Sequence, residues 1–220
     1  IKLSNVNKSY DYNFFWISSF NKNKISGLSF YGKHKQKKVT EMKFNYSLKK
    51  INLLFYLLLK LKLNISLLNS LSNLIYLKCC AFFYKENCNL DDFFYPQDQF
   101  SDWNIIYGKK GNITVQFIVK EKDFITVMIE ISDFFKLNGL FSSLIIIKKM
   151  RENEKYLNFS GAGYSLSIDF KIDKKFKIYV NFFNKLIKKY KLKVNLSKDL
   201  ITNYDNIKQY AQFDLFKKKI

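Results

Sequence analysis

Arginine, proline and histidine are almost missing from this 220-residue chain, where Arg151, Pro96 and His34 each stand alone. Arginine reads bases and grips phosphates bidentately, so its scarcity argues against specific nucleic-acid recognition. With one histidine and three cysteines, the donors for a zinc centre are short. Cys79 and Cys80 are adjacent, Cys88 follows at no metal-like spacing, and an odd count leaves no closed disulfide framework. The three read as small buried apolar residues in a reducing compartment. Glycine is held to seven residues, and none of them forms a Gly-rich turn that would let backbone amides approach a pyrophosphate. The longest apolar stretch, 51–59, is too short to span a bilayer and runs into Lys60 and Lys62. It reads as a packed helix, or as a basic amphipathic surface helix. No targeting segment and no internal repeat stand out. The expected location is cytoplasmic, with at most peripheral contact at the inner membrane.

What is abundant is lysine, asparagine, isoleucine, phenylalanine and tyrosine. The formal charge of +20 comes from 38 Lys+Arg against 18 Asp+Glu. Such a charge ordinarily points to nucleic acid or an anionic surface. Here the co-enrichment of these five residue types reads instead as A/T-biased coding. A hydrophobic fraction of 48%, with 18% aromatics, excludes disorder and supplies a real core.

Periodicity predicts an α+β fold, an antiparallel sheet carrying helices. The opening segment 1–20 is strand-like around 12–17, a loop covers 21–24, and a second extended run covers 27–32. The basic run 33–38 is a solvated connection. Residues 53–84 read as mostly helical, and 85–92 as a polar link. Alternation over 113–119 marks a half-buried strand. A helix covers 123–137 and stops at Asn138-Gly139. Strands follow at 142–148 and 165–170, separated by a loop that opens with the charged stretch 149–155. Phe176, Val180, Phe183 and Ile187 fall on one face of a helix over 174–190, with lysines on the other. A last strand begins at 193–196.

The shape-defining residues gather in one place. Tyr95-Pro96-Gln97-Asp98 is followed by Trp103-Asn104-Ile105-Ile106-Tyr107-Gly108-Lys109-Lys110-Gly111. Pro96 fixes its own backbone and biases Tyr95 toward extended geometry, and Gly108 and Gly111 bracket a turn into the next strand. This stretch resembles the Y-P-L-D … W-N-x-x-Y-G-x-x-G signature of FAD-linked oxidases in the vanillyl-alcohol-oxidase-like superfamily, in the branch that oxidises decaprenylphosphoryl ribose. Weaker similarities follow in order. Residues 12–17, Gly27 and Gly32-Lys33-His34 resemble the opening of the family's substrate domain. Thr114-Val115-Gln116-Phe117 resembles Q-Y-Q-F, and 144–148 resembles F-L-x-x-x-K. Leu157-Asn158-Phe159, with 163–170, resembles L-S-F-P … G-W-x-x-x-x-D-F. Lys193-Val194-Asn195-Leu196-Ser197-Lys198-Asp199 resembles R-x-Y-x-A-K-D.

The resemblance implies a substrate-binding cap over 1–193 and the C-terminal returning segment of an FAD-binding domain over 194–220, with the first FAD lobe outside this sequence. It implies oxidation of a secondary alcohol on a sugar or polyprenyl-phosphate sugar, hydride passing to FAD, and a partner reductase. Lys198 matches the lysine near flavin and substrate and is the catalytic candidate; a surface lysine is the other reading. Asn195 stands where the family has a tyrosine near the flavin, and joins Lys198 as a cofactor-binding candidate. Substrate-binding candidates are Tyr95, Gln116, Lys148, Ser165 and Ser167. Each also has a structural reading: a core aromatic, a buried amide bond, a solvated strand end, and packing for the two serines. Departures from the pattern include Gln97 for Leu, Thr114 for the first Gln, and Arg151 near an expected Gly. Two other functions stay open at this point: a fragment that acts only with a partner lobe, and a basic nucleic-acid-associated protein.

Overall fold

The computed structural model describes residues 10–21, 24–35, 88, 90–94, 107, 109–140, 142, 144–151 and 159–198. The elements are β1 (Tyr12–Asn21), β2 (Lys24–Gly32), α1 (Leu90–Phe94), β3 (Asn112–Val119), α2 (Phe124–Leu137), β4 (Leu144–Met150), β5 (Gly163–Lys171), α3 (Phe176–Tyr190) and β6 (Lys193–Val194). The six strands form one antiparallel sheet in the order β2-β1-β4-β5-β3-β6. This is the α+β architecture that the sequence pattern predicts.

Alternation decides which side of the sheet is dry. Val115, Phe117 and Val119 from β3, Ile145 and Ile147 from β4, and Tyr164, Leu166, Ile168 and Phe170 from β5 turn to one side. There α2 and α3 cover them with Val127, Met128, Ile131, Phe135, Tyr179, Phe183, Leu186 and Ile187. The α3 stripe is centred differently from the sequence reading: Tyr179 and Leu186 are the buried positions beside Phe183 and Ile187, while Phe176 and Val180 are only partly buried. Tyr179 belongs inside because its ring lies flat on Phe170, 4.2 Å between centroids.

The helices are fixed by their ends. α2 stops at Asn138 and Gly139, the latter at φ 55°, and Lys175 Nζ donates to both carbonyls at 2.7 and 3.2 Å. α3 ends on Lys191 in the left-handed region (φ 49°). At Gly163 (φ 149°) a Cβ would lie 2.1 Å from the Val119 carbonyl oxygen, so β5 meets β3 there only because the side chain is missing.

Several boundaries differ from the sequence reading. α1 begins at Leu90, inside the stretch read as a polar link, because Phe93 finds aromatic partners on the sheet. β4 starts at Leu144 and continues through Lys149 and Met150, since β5 pairs with it as far as Gly163. β6 is two residues long, and the chain then turns on Asn195. Cys88 is exposed, not buried, in keeping with its polar neighbours ahead of α1. The predicted helix over 53–84, together with Cys79 and Cys80, lies outside the described residues. Among the described residues no helix is long and apolar enough to cross a membrane, and no group of three His, Cys, Asp or Glu could hold a metal.

Candidate functional site

The face of the sheet opposite the helices carries the polar residues that alternation excludes from the core. Gln116 on β3 is paired with Ser167 on β5, and Lys148 on β4 is paired with Ser165 on β5. Direct partners in antiparallel strands share a face, as do residues two apart, so these four side chains project to one side. Asn195, just past β6, joins them: its backbone N–H donates to the Gln116 carbonyl at 2.8 Å.

A chain of hydrogen bonds ties the group together. Asn195 Nδ2 donates to Gln116 Oε1 at 2.7 Å, and Gln116 Nε2 donates to Ser165 Oγ at 3.0 Å. Ser165 is only 2% exposed, so its hydroxyl needs this partner. On its other side Asn195 Oδ1 accepts from Ser197 N (3.0 Å) and Ser197 Oγ (2.8 Å), and Lys198 N donates to the Asn195 carbonyl (3.3 Å). Asn195 therefore both anchors on the sheet and shapes the turn that presents Lys198.

Lys148 is the electrostatic focus. Burial pushes its pKa below the ordinary 10.5, and the positive charge of Lys198 pushes it down further. Lys198 itself is exposed at the rim. The Lys148 ammonium also lies 4.8 Å from the centre of the Phe94 ring. Two lysines gathered at a half-buried spot make a place where an anion is favoured.

Next to this polar end stands an aromatic wall. Phe14 stacks on Phe30 at 4.8 Å, and Trp16 meets Phe30 edge-on at 5.2 Å. Phe93 from α1 packs edge-on against Phe14 at 5.1 Å. Trp16 is 7% exposed, and its Nε1 has no hydrogen-bond partner among the described residues. At the far end Asp169 accepts from Thr114 Oγ1 at 2.7 Å and from Tyr107 Oη at 3.4 Å. Tyr107, 1% exposed, is the tyrosine of the Trp103-to-Gly111 motif, and its bond to Asp169 ties that side chain to the sheet.

Of the residues singled out from sequence, Gln116, Lys148, Ser165, Ser167 and Asn195 thus share one face, and Lys198 stands at its edge. Ser167 makes no side-chain bond to the Gln116–Ser165–Asn195 chain among the described residues. Tyr95 lies outside the described residues. The sequence reading missed the anchoring triad of Thr114, Tyr107 and Asp169, and the aromatic wall. All three anchors sit inside motifs, which was the signal available.

No family model matches the chain. One curated relative is decaprenylphosphoryl-β-D-ribose oxidase of Mycolicibacterium smegmatis (strain ATCC 700084 / mc(2)155), 31% identical over 88 residues. The chain resembles an oxidase, distantly. The matched stretch is 38% of this chain and 18% of the relative's length. That likeness points to the oxidoreductases and to nothing finer.

Proposed function

We propose that this chain supplies the substrate-facing part of an FAD-dependent oxidoreductase that oxidises a secondary alcohol of a sugar, in the manner of decaprenylphosphoryl-ribose oxidase. In this reading 1–193 is the substrate-binding cap and 194–220 is the returning segment of the FAD-binding domain. The observation that carries it is the hydrogen-bonded chain Asn195–Gln116–Ser165 beside Lys148 and Lys198, assembled from residues up to 79 positions apart.

The residues fit one part of the cofactor. Amide, hydroxyl and ammonium groups suit the polar edge of an isoalloxazine, whereas the sequence offers no Gly-rich turn for the pyrophosphate. Lys198 and Asn195 are the residues that would meet the ring. Bound flavin would supply the hydride acceptor. Lys198 stabilises negative charge developing beside it, and Lys148 holds the phosphate of a polyprenyl-phosphate sugar, an anion that relieves the cost of its own buried charge. Gln116, Ser165 and Ser167 orient the sugar hydroxyls, and Tyr95, from the resemblance, is the remaining substrate-binding candidate. A partner reductase would act on the oxidised sugar that such a reaction yields.

The test is reconstitution. Purified chain should be colourless and bind added FAD no tighter than roughly millimolar. Mixed with the FAD lobe of the mycobacterial relative, it should give a yellow complex that reduces a dye when a prenyl-phosphate ribose is added. Lys198→Ala should cut turnover while leaving the complex intact. A yellow complex whose turnover ignores Lys198→Ala would refute the assignment.

A further inference from the structure

The outer surface of the helical layer carries a pattern that the oxidase reading does not use. α2 and α3 run antiparallel: Lys189 meets Glu130 at 2.6 Å, Phe182 stacks on Phe134 at 3.7 Å, and Lys175 reaches Asn138. Their inner faces pack on the sheet, so their outer faces form one continuous surface.

Four aliphatic side chains stand out from that surface. Ile125 is 51% exposed, Ile129 54%, Leu137 86% and Ile178 42%. Ile125 and Ile129, one helical turn apart, make an exposed aliphatic pair along one flank of α2. The exposed outer side of α3 is lined by lysines. Lys174, Lys177, Lys185 and Lys188 are all exposed and fall near one side of α3, and the helix itself contains no carboxylate. The two carboxylates on the outer side of α2 are already engaged, Glu130 with Lys189 and Asp133 with Lys136 at 3.7 Å. Among the described residues Lys174, Lys177, Lys185 and Lys188 have no ion pair. The surface is therefore positive and studded with exposed aliphatic groups.

We infer that this α2–α3 face docks on an anionic lipid bilayer. Charge and apolar exposure must both be accounted for, and a bilayer accounts for both: lysines reach the headgroup phosphates while isoleucine and leucine enter the interface. Nucleic acid would engage the lysines but leave the aliphatic side chains with no partner. The face lies on the opposite side of the sheet from Lys148 and Lys198, so a bilayer bound there leaves the candidate site uncovered. The inference does not rest on the oxidase reading and can fail independently of it.

Co-sedimentation of the whole chain with vesicles tests it. Vesicles of phosphatidylcholine with 30% phosphatidylglycerol, about a third anionic, should pull the protein down, and pure phosphatidylcholine should not. The double variant K185E/K188E should bind at least about thirtyfold more weakly, since two lysines are lost and two carboxylates gained near the surface. Ile125→Ser with Ile129→Ser should also weaken binding, and should do so at high salt where the charge contribution is screened. Circular dichroism should show each variant folded, since all four positions are exposed. The inference is overturned if anionic vesicles do not bind the chain, or if K185E/K188E leaves binding unchanged. It is equally overturned if the isoleucine variants have no effect and RNA homopolymer displaces the vesicles, which would make the face a polyanion site.

Discussion

Asn195→Ala is the sharpest perturbation of the candidate site that leaves the core alone. The asparagine side chain makes three hydrogen bonds: one to Gln116 Oε1 at 2.7 Å, and two accepted from Ser197 at 3.0 and 2.8 Å. Its backbone bond to the Gln116 carbonyl survives the substitution. A net hydrogen bond is worth about 0.5–1.5 kcal/mol, and the Ser197 pair is exposed, so the loss should total about 2 kcal/mol. For a chain of this size that lowers Tm by about 4–8 °C. Gln116→Ala should cost about 2–3 kcal/mol, because it also strips the buried Ser165 hydroxyl of its partner. The two residues share one bond, so the double variant should be less destabilised than the sum by about 1 kcal/mol. Thermal unfolding followed by circular dichroism measures all four corners of the cycle. Hydrogen exchange at Ser197 reports the turn directly and should accelerate in Asn195→Ala. Strict additivity, with Ser197 exchange unchanged, would refute the view that Asn195 holds Lys198 in place.

Three further substitutions probe the rest of the fold. Lys148→Met should stabilise the fold at neutral pH. Burial and Lys198 depress the folded-state pKa of Lys148 below 10.5, so wild type carries an unfavourable charge at every pH below that folded value. That cost fades as pH rises from the folded pKa toward 10.5; the Tm advantage of Lys148→Met should shrink across the same window, and an advantage that grows there would contradict the cause. Gly163→Ala should cost about 3 kcal/mol or more, because the new methyl meets the Val119 carbonyl oxygen at 2.1 Å with φ at 149°. Gly111→Ala, at φ 72° but with open space around it, should cost only about 1–2 kcal/mol by chemical denaturation.

Much of the fold was legible because period and burial agree. Alternation over β3 and the lysine-backed stripe of α3 each have one good solution. Some boundaries were legible, at Asn138-Gly139 where the chain carries its own stop and at the ends of β2, β3 and α3. α1 was missed because a five-residue helix has no period to read, and what holds it is Phe93 on Phe14, a contact 79 positions away in sequence. The side of the sheet shared by Gln116, Lys148, Ser165 and Ser167 follows from parity once the register is known, and register is what a single sequence does not print. The roles of Asp169 and Tyr107 were hidden for the same reason. Each looks ordinary alone, and their partnership exists only after β3 and β5 have paired.

We propose that the Gln116–Lys148–Ser165–Asn195–Lys198 face binds a phosphorylated sugar. Calorimetric titration of the chain with a short prenyl-phosphate ribose tests it most directly. Binding should weaken about tenfold in Lys148→Ala, the loss of one charge-assisted contact, weaken likewise in Lys198→Ala, and be unaffected by Lys185→Glu on the helical side. Equal affinity in wild type and Lys148→Ala, or loss of binding in Lys185→Glu alone, would contradict it.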